Sequence, residues 1–363
     1  MIINSPLIVC LRNILHDETK LSNFEAMDWE LIVRQARKAN LLSRTAYLLR
    51  EKKILASLPD KARGHFISAL CVYDANVQAY SWEVGQINSV LSEAGVPCLL
   101  LKGVAYIESN LMSMKGRVFS DVDIMVPKDQ LKKAERALIK HGWITSDLDP
   151  YNQKYYRLWM HEIPPMTHLT RHSNLDIHHS ILPPTAKLKP DNNKFWESCI
   201  SLDKNNLYTL SQVDIVLHSA THLFHEGEFD NGLRDLTDLD LLLGEFSIDQ
   251  NFWVKLLNRA REQGLGRPLF YAMRYSNIFL QTDIPANVLK DIESEAPPKF
   301  LVYIMDFLFL RALLPNHVSC SDQWTGLARW ILYIRSHLLR MPLYLLIPHL
   351  LRKSWMGFFG KKR

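Results

Sequence analysis

The hydrophobic pattern of the chain changes at Gly95, and this change restricts the folds that the chain can adopt. Residues 60–94 predict one long helix, which Gly95 ends. The next residues, 96–101, form a continuous apolar run, which is typical of a buried strand. The chain is therefore expected to combine a sheet with helices.

The residues after this run predict further strands and helices in turn. We expect a short helix over 104–111, a strand over 118–126, an amphipathic helix over 129–140 and strands at 143–144 and 175–181. From about Ser211 onward every periodic segment is helical. The pattern predicts an α+β fold, divided into a helical N-terminal region (1–95), an α/β module (96–185), a helical C-terminal domain (186–327) and a tail (328–363).

Two carboxylates stand two residues apart on the predicted strand, at Asp121 and Asp123. Alternate side chains of a strand share a face, so both carboxylates point the same way. Like charges this close repel unless a cation lies between them, and Mg²⁺ prefers carboxylate oxygens together with substrate phosphates. Asp176, on a later predicted strand, is the best-placed third acid for a two-metal site. His178 lies on the same strand face as Asp176, and it either orients an acceptor or packs in the core.

The residues around this pair suit a phosphate-bearing ligand. Lys102-Gly103 ends the first strand, and Gly103 would let the backbone approach a ligand closely. The helix that follows would offer free N–H groups to phosphate. Lys102 and Arg117 would add positive charge for a triphosphate. The alternative is that the paired acids mark only a solvated strand end.

These residues carry a resemblance to a known family. The stretches LLKG at 100–103 and RVFSDVDIMV at 117–126 resemble the uncharacterised bacterial nucleotidyltransferase family within the DNA polymerase β-like superfamily. That superfamily has Gly-Ser at the start of a helix, D-x-D or D-x-E on the next strand and a third acid on a later strand. Here Lys102-Gly103 stands in place of Gly-Ser, and Asp121, Asp123 and Asp176 match the acids. The resemblance covers about residues 95–245.

The resemblance implies a small polymerase-β-like mixed sheet and an Mg²⁺-dependent enzyme. A nucleoside monophosphate would pass from an NTP, such as ATP, to an acceptor, with release of pyrophosphate. Asp121, Asp123 and Asp176 would hold two Mg²⁺ ions, and Asp176 could also serve as the base. The acceptor could be a protein hydroxyl, an RNA end or a sugar or lipid phosphate.

The replacement of Gly-Ser by Lys-Gly supports a rival hypothesis of another class. A serine hydroxyl that would touch phosphate is missing at Lys102. The chain would then be a non-catalytic module of the same fold that binds a nucleotide or a partner. This module would be attached to a membrane surface through the tail.

Other polar residues have both a functional and a structural interpretation. Arg234 begins a predicted helix and could reach the nucleotide or the acceptor, or it could serve the helix end alone. His218, His222 and His225 share one helical face. With Glu226 or Glu228 they could bind a metal, but the segment lacks the His-Glu-x-x-His pattern of zinc hydrolases, and packing is favoured.

The positive charge of the chain is concentrated at its C-terminus. The formal net charge is +5, from 43 basic and 38 acidic residues. From Ala328 onward there are eight basic residues and no acidic one, which leaves 35 basic against 38 acidic residues, about −3, for residues 1–327. The tail is also apolar, and its composition supports three interpretations. In order of preference, the tail forms a packed helical layer with snorkelling basic side chains, lies on an anionic membrane surface, or binds RNA phosphates.

Cysteine usage and hydropathy predict the compartment. The five cysteines are scattered and form no C-x-x-C pair, which argues against a disulfide framework and a cysteine zinc site. The most apolar stretch, 330–351, contains two arginines and two prolines, which argue against a membrane span. We expect a cytoplasmic protein, with the tail as a peripheral attachment at the inner membrane face.

Overall fold

The computed structural model describes residues 5–145, 149–202, 206–225, 227–348 and 352. The strands in this part of the chain are β1 (Cys98–Leu100), β2 (Val122–Met125), β3 (Trp143–Thr145), β4 (Met166–His168), β5 (Asn174–His178), β6 (Ile200–Ser201) and β7 (Leu207–Thr209). The α-helices are α1 (Pro6–His16), α2 (Ala26–Lys38), α3 (Leu42–Glu51), α4 (Asp60–Glu93), α5 (Lys102–Glu108), α6 (Leu131–Lys140), α7 (Pro150–Trp159), α8 (Asn192–Glu197), α9 (Gln212–His225), α10 (Gly232–Phe246), α11 (Phe252–Glu262), α12 (Gly266–Leu280), α13 (Ala286–Ile292), α14 (Lys299–Ala312) and α15 (Thr325–Arg340).

The strands form one seven-stranded mixed sheet in the order β3-β4-β5-β2-β1-β7-β6. β2 runs parallel to β5 and β1 runs parallel to β7, whereas β1 and β2 are antiparallel. Helices precede and follow the sheet along the chain. The prediction of an α+β fold with a mixed sheet flanked by helices is therefore confirmed.

Local sequence explains the start of the sheet. The long helix α4 ends at Glu93, close to the predicted end, and Gly95 adopts a φ of +60°, the left-handed conformation that glycine tolerates without strain. All residues of β1 and β2 are buried, as expected for the apolar run of β1 and for the apolar residues that surround Asp123 in β2. Full burial of each Leu or Ile side chain contributes about 1.5–3 kcal/mol to folding.

Helices cover the sheet and share its core. α4 contacts β1 and α6, α5 contacts β2, and α9 contacts α5 as well as α10, α11 and α12. A continuous cluster of buried apolar side chains runs from Leu7 in α1, through the sheet, to Leu332 in α15. The strands that carry the candidate site are thus held between packed helices.

The segments that the sequence analysis left unassigned also form regular structure. Residues 145–170 contain α7 and β4, and the sheet continues at β6 and β7, beyond residue 185. β2 begins at Val122, so Asp121 immediately precedes the strand on which it was predicted. The division of the chain at residues 95, 185 and 327 stays a prediction.

The described part of the tail packs on the rest of the molecule. α15 contacts α14 and α9, and its side chains Ala328, Leu332 and Ser336 are buried. The rest of the tail, residues 349–351 and 353–363, lies outside the described residues. Across the described ranges, no helix combines the length and the apolar character that crossing a bilayer requires.

Candidate active site

The pairing of β2 with β5 brings the three predicted acids together. Asp123 lies directly opposite Asp176 in the parallel register, and Asp121 stands two residues before Asp123 on the same face. One carboxylate oxygen from each of the three lies within 4.8 Å of the others. We call these residues the acidic triad. Its oxygens are close enough to share a divalent cation.

The carboxylates of the triad differ in their affinity for protons. Burial, together with the charges of Asp123 and Glu162, raises the pKa of Asp176 to about 7. Burial and the charge of Asp123 also raise the pKa of Asp121. For Asp123 burial acts in the same direction, but Lys102 and His178 outweigh it and hold the pKa below its usual value. Two of the three acids therefore retain protons more readily than ordinary aspartates do, because burial and neighbouring carboxylates disfavour their ionised forms.

Lys102 lies against the triad. Its Nζ is 2.8 Å from Asp123 Oδ1, and its backbone adopts a φ of 48°, in the left-handed region. Burial disfavours the ammonium, but the charge of Asp123 outweighs it, so the pKa of Lys102 is raised. The side chain therefore neutralises a buried carboxylate in this structure, whereas the sequence analysis assigned it to phosphate.

Gly103 has a packing role that the sequence did not reveal. A Cβ atom at this position would lie 2.4 Å and 2.6 Å from two ring carbons of Phe119. It is therefore the ring of Phe119 that approaches the backbone of Gly103 closely. Phe119 and Gly103 both line the cavity in front of the triad.

The two predicted arginines line the same cavity. Arg117 is buried and forms ion pairs with Asp238 and, at 3.6 Å, with Asp235. Arg234 contacts Asp235 at 2.8 Å. Burial, and then the charge of Arg234, lower the pKa of Arg117 to about 10. Both guanidinium groups are thus held by acids of α10.

A cavity of about 340 Å³ joins these groups. Every residue predicted for the site lines this cavity. Among the other lining residues are several that the sequence did not place there: Tyr106, Met160, His161, Glu162, Ser219, Asp235, Asp238 and Arg340. Arg340 is the last residue of α15, and its charge contributes to lowering the pKa of His161, although burial is the main cause. The sequence offered no signal for Arg340, because more than 150 residues separate it from the triad.

Of the three histidines of α9, His218 and His225 are buried, whereas His222 is partly exposed and lines the cavity. Burial lowers the pKa of His218 to about 3 and that of His225 to about 4, and it lowers that of His222 well below its usual value. In the ranges that the structure describes, they belong to no group whose ligand atoms converge as a metal site requires. Glu226, one of the acids predicted beside them, lies outside the described residues. Packing, the favoured interpretation, agrees with the burial of His218 and His225.

Comparison with known proteins identifies a family. A sequence model whose description reads "uncharacterised nucleotidyltransferase" matches residues 25–281, about seven tenths of the chain. The match contains the triad, Lys102, Arg117 and Arg234, and it ends before α13. A search of the curated proteins and a search of the solved structures each found no match.

Proposed function

The chain belongs to the family of uncharacterised nucleotidyltransferases, and from this premise we propose that it is an Mg²⁺-dependent enzyme that transfers a nucleoside monophosphate from an NTP to a hydroxyl or phosphate acceptor. The family supports the general kind of reaction and a nucleotide as substrate. The metal, the choice of NTP and the acceptor are our proposal. The observation that carries it is the convergence of Asp121, Asp123 and Asp176 at adjacent strands.

The donor set of the triad fits Mg²⁺. Three carboxylates offer only oxygen ligands, which this ion prefers, and the cavity leaves room for substrate oxygens. Asp121, Asp123 and Asp176 would hold the metal, as one ion or two. When bound, Mg²⁺ would supply positive charge for the triphosphate and lower the pKa of the acceptor hydroxyl.

The protein's own groups would handle the proton and the phosphates. The acceptor oxygen would form a bond to the α-phosphorus, and the bond from that phosphorus to the bridging oxygen would break, releasing pyrophosphate. Asp176, opposite Asp123 in the parallel register, would also serve as the base that takes the acceptor's proton. Lys102 is 2.8 Å from Asp123, so its charge becomes available to phosphate when a metal engages that carboxylate.

Arginines that line the cavity would orient the substrate. Arg117, which is buried, and Arg234, which is partly exposed, are both held by acids, and this support fixes their positions. Arg340 lines the same cavity from α15. We propose that these three residues, together with Lys102 and Gly103, form the binding surface for the nucleotide or the acceptor.

Calorimetry tests the proposal directly. Wild-type protein, titrated with each NTP in the presence of Mg²⁺, is compared with the Asp121→Ala/Asp123→Ala double variant. We expect the wild type to bind at least one NTP, and the double variant to lose metal-dependent binding. Asp129→Ala, which removes an exposed acid, is the matched control. If wild type binds no NTP, or if the double variant binds as wild type does, the proposed site is wrong.

One observation favours the rival function. Lys102, which with Gly103 stands in place of the superfamily's Gly-Ser, lies 2.8 Å from Asp123 and neutralises that carboxylate. A non-catalytic module that binds a nucleotide or a partner would tolerate this arrangement. Pyrophosphate release separates the two functions. Metal-dependent NTP binding without pyrophosphate release in the presence of protein, RNA, sugar phosphate or lipid phosphate acceptors would support the rival.

We also propose that the tail contacts an anionic membrane, with the protein at the cytoplasmic face. Leu343, Tyr344 and Ile347 are exposed apolar residues that follow α15, and basic residues are frequent up to the C-terminus. Because α15 packs on α9 and α14, a truncation should begin after it. Removal of residues 342–363, which takes away these three apolar residues and the basic residues that follow them, should lower cosedimentation with anionic liposomes, and unchanged cosedimentation would refute the role.

The polymerase β-like superfamily and a bacterial origin stay predictions. The order of elements supports the superfamily, because a strand, a glycine-containing helix start, a D-x-D and a third acid on an adjacent strand follow one another.

A further inference from the structure

A second group of potential metal ligands lies beside the triad. It consists of His161, Glu162 and His178, which we call the His–Glu cluster. His161 and Glu162 precede β4 and line the cavity, and His178 ends β5. Backbone hydrogen bonds hold them together, since His179 N donates to His161 O at 2.8 Å, and Glu162 forms a β-bridge with His178. Their side chains therefore converge from a fixed backbone.

The distances in the cluster suit a small divalent ion. His178 Nδ1 lies 3.6 Å from Glu162 Oε2, and His161 Nε2 lies 4.0 Å from the same oxygen. One ligand atom from each of the three residues lies within 4.8 Å of the others. Four-coordinate zinc, with bonds of about 2.0–2.2 Å, holds neighbouring ligand atoms roughly 3.3–3.5 Å apart. The largest of these separations exceeds that spacing by about 1.5 Å or less, so side-chain movements of that order would close the site.

The hydrogen bond of His178 leaves its other ring nitrogen ready to bind a metal. His178 Nε2 is 3.0 Å from Asp123 Oδ1. The same oxygen accepts from Lys102 Nζ at 2.8 Å, so it acts as an acceptor and His178 Nε2–H donates to it. In the neutral ring the lone pair is then on Nδ1. A histidine ligand whose second nitrogen donates to a carboxylate is the usual outer-shell arrangement around protein metals.

The nitrogen of His178 that faces Glu162 lacks a hydrogen bond. His178 is 3% exposed, and its Nδ1 has no hydrogen-bond partner among the described residues. A buried polar atom of this kind is normally satisfied by a partner, so an unpartnered nitrogen aimed at a carboxylate calls for an explanation.

We propose that His161, Glu162 and His178 bind a transition-metal ion of the Zn²⁺ type, separate from the Mg²⁺ proposed for the acidic triad. Two imidazoles and one carboxylate favour such ions over Mg²⁺, which prefers oxygen ligands alone. The remaining coordination positions open to the cavity, where water or a substrate oxygen can complete the shell. Asp123 links the two sites, since it belongs to the triad and orients His178.

Titration with Co²⁺ tests this site. The full chain is freed of metal with a chelator and titrated with Co²⁺ in the presence of excess Mg²⁺, while the visible absorption of Co²⁺ is recorded. We expect one ion per chain, no thiolate charge-transfer band, and displacement by Zn²⁺. His161→Asn and Glu162→Gln should each weaken binding by more than the roughly 10–100-fold that is typical of an outer-shell change.

Control variants locate the ion. His141→Asn, at an exposed histidine, should leave Co²⁺ binding unchanged. Asp121→Asn should weaken Mg²⁺-dependent NTP binding and retain Co²⁺ binding, which separates this proposal from the function proposed above. Glu162→Gln keeps the shape of a side chain that is partly exposed, so it should fold even if a histidine variant does not. The proposal is overturned if the wild type binds no Co²⁺ with Mg²⁺ present, if folded Glu162→Gln binds it as the wild type does, or if Asp121→Asn abolishes the binding.

Discussion

Replacing Asp176 with Asn should stabilise the metal-free protein, and the gain should grow with pH. Burial, followed by the charges of Asp123 and Glu162, raises the pKa of the Asp176 carboxyl from 3.8 to about 7. The folded protein therefore holds this proton more tightly than the unfolded chain does. The protonated Asp176 carboxyl contributes to the free energy of unfolding, and this contribution is fully present below about pH 4. It is lost as the pH rises to about 7. Asn does not titrate, so the variant escapes this loss.

The size of the effect follows from the shift in pKa. Each pKa unit corresponds to about 1.36 kcal/mol, so a rise from 3.8 to about 7 gives an upper value of about 4 kcal/mol above neutral pH. At about pH 5 the corresponding loss is below about 2 kcal/mol. The buried amide of Asn has its own desolvation cost, so we expect a net gain for Asp176→Asn of about 2–4 kcal/mol at about pH 8.

Urea unfolding followed by tryptophan fluorescence, in a chelating buffer over a pH series, measures this gain. Asp291→Asn removes an exposed acid on α13 and corrects for the change in net charge. Added Mg²⁺ should stabilise the wild type and should stabilise Asp176→Asn much less, since a bound ligand favours the folded state. If the difference between variant and wild type stays constant with pH, or if the wild type is more stable without metal at about pH 8, the reasoning about Asp176 is wrong.

Three further variants test other contacts of the cavity. Arg340→Gln should weaken NTP binding roughly tenfold in calorimetry, the effect of one lost charge-assisted hydrogen bond, and unchanged affinity would remove α15 from the binding surface. Arg44→Met should lower the free energy of unfolding by about 1–3 kcal/mol, because it takes away a buried cation 2.9 Å from Asp238 and leaves that carboxylate to Arg117 alone; an unchanged free energy of unfolding would contradict this. Gly103→Ala should cost about 1–3 kcal/mol through the clash with Phe119, and Phe119→Leu in the same chain should recover part of it; no recovery would place the strain elsewhere.

The convergence of the triad was predictable because it depends on short-range rules. The alternation of side chains along a strand puts Asp121 and Asp123 on one face, whatever the rest of the fold does. Asp176 was a weaker prediction, since it needs β5 to lie beside β2, and β3 and β4 intervene between them in the chain. The α+β class was predictable for a similar reason. The change of pattern at Gly95 needs only local periodicity and a glycine that can adopt a positive φ.

The other residues of the cavity were not predictable, because tertiary packing brings them there. Glu162 and His161 come from a segment with many aromatics and no clear period, and only the β-bridge to His178 shows where they lie. The partners of Lys102 were also hidden. A lysine before a glycine at a helix start suggests phosphate binding, but its actual partner, Asp123, is 21 residues away and is brought near by the pairing of β1 with β2.

Asp123 explains why these separate features lie in one place. It is 4% exposed, and a buried carboxylate needs positive charge or hydrogen bonds to remain ionised. Lys102 and His178 provide both, at 2.8 Å and 3.0 Å from the same oxygen. Lys102 therefore competes with any metal in the triad for the Asp123 carboxylate. The same carboxylate orients His178 toward Glu162. A change at Asp123 should consequently alter metal binding in the triad and in the His–Glu cluster together, whereas a change at Asp121 should alter the triad alone.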